Sequence, residues 1–195
     1  MKEIPAIERH PLEPFLPQNA KILFLGSFPP PKARWSMEFF YPNWINDMWR
    51  IQGIIHFNDK HYFEVNGAKR FDKDKIESFC NQMGLAFYDT ACEVRRLKEN
   101  AADKFLEVVT ATDIKALLAQ IPECIAIVTT GEKATDVITG TFGCEKPRVG
   151  TYTILSISER ELHFWRMPST SRAYPLSLEK KAESYKSLFE KEYKI

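Results

Sequence analysis

Apolar and polar positions along this chain fall into blocks that read alternately as strands and amphipathic helices. Lys21–Gly26 is a short apolar run that stops at Gly26-Ser27, as a buried strand does when it enters a turn. Trp44–Ile55 carries Ile45, Met48 and Trp49 and ends near Gln52-Gly53, which predicts a helix. Residues 56–71 mix polar and aromatic types without a period and predict a loop. Asp72 can cap a helix whose apolar positions Ile76, Phe79, Cys80 and Met83 follow the i, i+3, i+4, i+7 rule, with Gly84 ending it. Leu85–Tyr88 is a second strand leading into Asp89. Thr112 or Asp113 opens a helix with Ile114, Leu117, Leu118 and Ile121 on one face, and Pro122 stops it. Ile125–Thr129 is a third strand, and Thr130-Gly131 turns into a helix over Glu132–Thr139. Tyr152–Ile157 and Glu161–Met167 form a strand pair through Ser158-Glu159-Arg160. Ser177 caps a last helix striped by Leu178, Ala182, Tyr185 and Phe189.

Strands alternating with amphipathic helices predict an α/β fold: three α/β/α layers around a central, mostly parallel sheet of four to five strands. No repeat, biased tract or linker divides the chain, so residues 1–195 are expected to form a single domain, with the proline-punctuated residues 1–20 wrapping its surface. In such sheets a ligand lies across the strand ends. That places the expected site at Gly26-Ser27, Asp89-Thr90, Thr130-Gly131 and the Pro168-Ser169-Thr170-Ser171 segment after Met167. Prolines 29–31 stiffen the first of these loops. The rings that follow suit the gripping of a flat ligand such as a nucleobase.

Composition narrows the picture. A chain of 195 residues that is 44% hydrophobic can bury a sizeable core. A net charge of +1 supplies no overall field for nucleic acid, so any DNA contact must come from a local basic patch. No apolar run approaches the ~20 residues of a membrane span, and the N-terminus lacks the apolar core of a signal peptide. A cytoplasmic, monomeric protein is the expectation. Cys80, Cys92, Cys124 and Cys144 form no C-x-x-C pair, so reduced thiols are expected rather than a disulfide, zinc or iron–sulfur framework. His56 and His61 lack a third ligand, and neither metal nor cofactor is expected. Arg95, Arg96 and Lys98 read as solvated surface, as do Lys180-Lys181 on the polar face of the last helix.

Taken in order, four segments resemble the uracil-DNA glycosylase superfamily, and within it the mismatch-specific and hypoxanthine-DNA glycosylase branches. These are Gly26-Ser27-Phe28-Pro29 with Phe40-Tyr41 and Asn46-Asp47-Met48-Trp49; Gly84-Leu85-Ala86-Phe87-Tyr88-Asp89-Thr90; Thr130-Gly131-Glu132-Lys133-Ala134; and Met167-Pro168-Ser169-Thr170-Ser171. The likeness spans residues 21–189. It implies a DNA glycosylase that flips a deaminated base, uracil or hypoxanthine, and hydrolyses its N-glycosidic bond in base excision repair.

The resemblance assigns the catalytic position to Asn46, whose amide can both donate to and accept from a water, though the residue type also fits a helix cap. Gly26, Ser27, Phe28, Tyr41, Asp89 and Thr90 fall at base-binding positions. Tyr41 is a stacking platform or a core ring. Phe28 can present its N–H to a base carbonyl. Asp89 can accept from a base N–H, with the Thr90 N–H serving a carbonyl, or it caps a turn. Ser169, Thr170, Ser171 and Arg172 fall at the DNA-phosphate loop, or make a hydroxyl-rich turn before Ser177; Arg172 or Tyr174 can fill the gap left by a flipped base, and Arg166 adds charge. Ser27 replaces the Asp or Asn of the sister branches, and Thr170-Ser171 replace their histidine. Those departures leave open a second reading, a DNA- or nucleotide-binding protein without catalysis. A serine hydrolase built on Ser27 lacks the G-x-S-x-G elbow.

Overall fold

In the computed structural model, which describes residues 5–97 and 105–194, the central strand is β2 (Ile22–Gly26). It pairs in parallel with β3 (Leu85–Asp89) on one side and with β6 (Ala126–Thr130) on the other. β8 (Arg160–Met167) continues the parallel run beside β6, and β7 (Thr151–Ile157) closes the edge antiparallel to β8. The order is β3-β2-β6-β8-β7. Every residue of β2, β3 and β6 is buried, which requires cover on both faces of the sheet. The expected central, mostly parallel α/β sheet of four to five strands is therefore present, with five.

The helices form where capping and apolar spacing coincide. They are α1 (Met48–Phe57), α2 (Lys73–Met83), α3 (Ile114–Gln120), α4 (Glu132–Phe142) and α5 (Leu178–Tyr193). Asp72, Asp113 and Ser177 each accept a backbone N–H in the first turn of α2, α3 and α5, from Lys75, Ala116 and Lys180 respectively. Gly84 ends α2 in a left-handed conformation. The core is aromatic: Phe24 stacks on Phe87, and Trp49 of α1 packs against Phe39, Phe63 and Phe87. No helix among the described residues is long and apolar enough to cross a membrane.

Three features depart from the sequence expectations. The helix expected from Trp44 begins only at Met48, because asparagine side chains take over the preceding backbone donors. Asn43 Oδ1 accepts from the Ile45 N–H at 3.2 Å, and Asn46 Oδ1 from the Met48 N–H at 2.9 Å. Second, β4 (Ala91–Arg96) and β5 (Leu106–Ala111) add a small antiparallel sheet that also recruits β1 (Ile7–Arg9), from the segment expected merely to wrap the surface. Third, two of the cations expected in solvent are not there. Arg96 is nearly enclosed and makes a two-bond fork to Glu8, both at 3.0 Å, plus a bond to Pro29 O. Lys181 is fully buried. Lys98, expected on the surface with them, lies outside the described residues.

Candidate functional site

The carboxyl ends of the parallel strands frame a cavity of about 150 Å³, lined by residues from six separate segments, Leu12 and Thr130 among them. A cavity of roughly this volume accommodates one aromatic ring. Gly26, Ser27 and Phe28 come from the end of β2, Tyr41 and Asn46 from the loop before α1, Asp89 from the end of β3, and Ser169, Thr170 and Ser171 from the loop after β8. The sequence pattern thus located nine of its eleven site residues on one wall. Thr90 and Arg172 are not on it.

Register explains the first pair. Gly26 lies directly beside Asp89 in the β2–β3 ladder. A Cβ at position 26 would run into Asp89 Oδ1 and come within 3.5 Å of Tyr41 Oη, so only glycine allows the carboxylate to lie against this backbone. Asp89 Oδ2 is held by His10 Nε2 at 2.9 Å, which leaves Oδ1 without a partner among the described residues. Thr90 does something other than expected. Its N–H bonds to Gly26 O at 2.8 Å and its hydroxyl donates to the same oxygen at 3.1 Å. No donor of Thr90 remains for a base; it clamps β3 to β2.

Tyr41 adopts a positive φ of 52°, a conformation that costs a non-glycine residue on the order of 1–3 kcal/mol. Its hydroxyl meets Thr130 Oγ1 at 2.6 Å, which ties the loop to the end of β6 and sets the ring on the cavity wall. Phe28 is packed edge-on to His10 and against Ala91, Val94 and Leu106. Its backbone N–H has no partner among the described residues, unlike that of Thr90. Asn46 behaves as a turn cap through Oδ1, with its own N–H on Asn43 O. Its amide nitrogen has no partner among the described residues, so one end of the carboxamide is anchored and the other is available at the cavity.

The loop after β8 is held by its carbonyls rather than its hydroxyls. Tyr185 Oη donates to Pro168 O, the Asp47 N–H to Thr170 O, and Lys181 Nζ to Ser171 O. Ser169 Oγ accepts from the Ser171 N–H and Ser171 Oγ from the Ala173 N–H, so both hydroxyl protons remain free to donate. Thr170 is buried. Lys181 also bonds Asp47 Oδ2 at 2.8 Å, with both side chains under a tenth exposed. Arg172 sits off the cavity with Nη2 3.6 Å from Asp47 Oδ1. Arg166 is engaged by Glu132 Oε1 at 3.4 Å and by Pro147 O.

The buried thiols are chemically quiet. Burial, aided at Cys80 by Glu77, raises the Cys80 thiol well above its ordinary range, and burial raises Cys124 to about 11. Among the described residues, no group of three or more His, Cys, Asp or Glu is placed to hold a metal ion. The residue that sequence reasoning missed is His10, whose only local signal is its place in a proline-flanked N-terminal segment.

No family model matches this sequence, and no curated protein matches it. Among solved structures, the chain is similar to a protein of Methanosarcina acetivorans described as a "putative Uracil DNA glycosylase", determined by NMR in solution. The two are 18% identical and superpose with a TM-score of 0.66 over 96% of this chain and 99% of that one. At that identity the likeness is one of fold.

Proposed function

We propose that this chain is a monofunctional DNA glycosylase of the uracil-DNA glycosylase superfamily, in its mismatch-specific and hypoxanthine-type branches. It removes uracil or hypoxanthine from DNA by hydrolysis, as a monomer in the cytoplasm and without a cofactor. The observation that carries this reading is that Asn46, Asp89, Phe28 and the hydroxyl loop all line one ring-sized cavity at the strand ends, with the Asn46 amide nitrogen, Asp89 Oδ1 and the Phe28 N–H unpaired among the described residues. The shared fold supports it.

Each group has a task that the chemistry requires. An intact duplex hides the glycosidic bond, so the nucleotide must be flipped. The hydroxyls of Ser169 and Ser171 bind the flanking phosphate, with buried Thr170 holding the loop between them, while Arg172 adds charge outside the cavity. Tyr41 stacks on the base, a contact worth roughly 1–3 kcal/mol. Asp89 Oδ1 accepts from uracil N3–H or hypoxanthine N1–H. Cytosine and adenine present a lone pair at the equivalent atom and are rejected. The Phe28 N–H meets the neighbouring carbonyl, a task the sequence offered to both Phe28 and Thr90 and for which Thr90 has no donor left. Ser27 contacts the substrate through hydrogen bonds rather than activating water. Asn46 holds the water that attacks C1′ as positive charge builds on the sugar. With no lysine among the residues lining the cavity, the reaction stops at the abasic site.

The test is base release from oligonucleotides carrying uracil opposite G, uracil opposite A, or hypoxanthine opposite T. Loss of the positioned water in Asn46→Ala should lower the rate by about 10²–10⁴. A specific observation favours one other reading, binding without catalysis: Asn46 Oδ1 already caps Met48. Tight binding of these duplexes with no abasic product at enzyme excess would select it.

A further inference from the structure

Asp89 does not face the cavity alone. A carboxylate only accepts hydrogen bonds, so the proton in its 2.9 Å contact with His10 sits on Nε2. The His10 side chain is 2% exposed, enclosed by the rings of Phe28, Phe40 and Tyr88, and its backbone N–H is fixed to Cys92 O at 2.8 Å. The second ring nitrogen, Nδ1, lies 2.9 Å from Leu12 O and 3.2 Å from Leu12 N. As a neutral ring it accepts from the Leu12 N–H; as an imidazolium it donates to the Leu12 carbonyl. In both states Nε2–H stays on Asp89. The ring can change charge without moving.

That matters for a base that departs as an anion. An ionised Asp89 suits recognition of a base N–H, but once negative charge builds on the leaving base the same carboxylate opposes it, since like charges at contact are mutually unfavourable. No histidine stands in the loop after β8 to offset this. We infer that His10 is a positioning residue for the base-reading carboxylate: it turns Asp89 Oδ1 to the cavity and, as imidazolium, cancels the Asp89 charge while a lactam-type base leaves. This inference rests on the glycosylase reading above. The glycosidic bond breaks with its electron pair leaving on the base. The attacking water forms the C1′–O bond and releases a proton to solvent, and the departed base takes a proton from solvent. The Nδ1 proton is acquired from solvent beforehand and remains on His10.

The groups around the ring leave this assignment to the His10–Asp89 pair. Tyr88 and Asp89 face it from β3, and burial raises the Tyr88 hydroxyl beyond reach of ordinary pH, with Cys92, Asp89 and Glu13 adding to the effect. Cys92 of β4 and Glu13 of the segment after His10 act on that Tyr88 hydroxyl, and the loop after β2 packs the rings of Phe28 and Phe40 against the imidazole.

His10→Gln keeps an N–H toward Asp89 but cannot carry charge. In single-turnover excision it should retain half-saturation within twofold of wild type, lose about tenfold or more in the maximal rate, and lose any pH dependence of that rate that the wild-type imidazole confers. Equal rates and equal pH profiles would overturn the inference, and so would parallel loss of binding and rate in a folded variant. The dyad is also read directly in the wild-type protein, from the ring nitrogen NMR resonances of His10. Titration confined to Nδ1, with Nε2 protonated throughout, supports it; an Nε2 that loses its proton overturns it. A wild-type protein that frees no base but shows the Nδ1-only titration would refute the glycosylase reading while leaving the dyad standing.

Discussion

Lys181→Met is the perturbation that most sharply tests how this site is held together. Lys181 Nζ sits 2.8 Å from Asp47 Oδ2 and 2.8 Å from Ser171 O, joining α5, the entry to α1 and the hydroxyl loop at one buried atom. At an effective dielectric of ~20, charges at this separation attract by about 6 kcal/mol, a gross figure that desolvation largely offsets. Removing one partner leaves the other charge buried, and that costs about 3–5 kcal/mol. Arg172, 3.6 Å from the second Asp47 oxygen but half exposed, takes up part of the loss, so the expectation lies near ~3 kcal/mol. Asp47→Asn strands the lysine and should cost a similar amount. The double variant strands neither charge, so it should lie within about 1–2 kcal/mol of wild type. Urea unfolding of the four proteins gives the cycle. A coupling energy near zero, or a single variant that unfolds like wild type, would refute the view that this pair is a closed buried unit.

Three further outcomes follow from particular groups. Gly26→Ala drives a methyl group into Asp89 Oδ1 and should displace the carboxylate enough to cost about 10² in excision rate, whereas Gly140→Ala in α4, where a Cβ meets nothing, should leave the rate unchanged and stabilise by about 0.5–1 kcal/mol. An equal loss in both would sink the packing argument. His56 is wedged against Phe79 and Phe189, burial lowers its pKa to about 4, and Nε2 has no partner among the described residues. The unfolded chain therefore binds this proton first as pH falls, so stability is intact above about 6.5 and drains between there and 4. Partial solvent contact reduces the effect to about 1–2 kcal/mol, and His56→Leu should remove it from urea unfolding compared at pH 7 and pH 5. Finally, Asn46→Ala should unfold within about 2 kcal/mol of wild type, since it loses only a cap, so a large activity loss in a folded protein is attributable to chemistry.

The local pattern of the chain determined the elements that satisfy their own period and caps. β2, β3 and β6 open on apolar runs and turn polar only at their carboxyl ends, in Asp89 and in Thr129-Thr130, and α2, α3 and α5 begin at residues whose side chains cap them within three positions. The strand-end rule then placed most of the cavity wall, because a parallel sheet presents the same end of every strand to one side. What local pattern could not reach was pairing between distant segments. Lys181 looks solvated on a helical wheel, yet it is buried because Asp47, 134 positions away, supplies a counter-charge. Arg96 is enclosed by Glu8, and Thr90 is spent on Gly26, for the same reason. β4 and β5 needed a partner strand to become a sheet. His10 acquires its chemistry only when the N-terminal segment folds back over Asp89, 79 residues on. Apolar period is a property of neighbours along the chain, whereas hydrogen-bond partners and counter-charges are properties of space; the first is written in the sequence and the second exists only once the chain has closed.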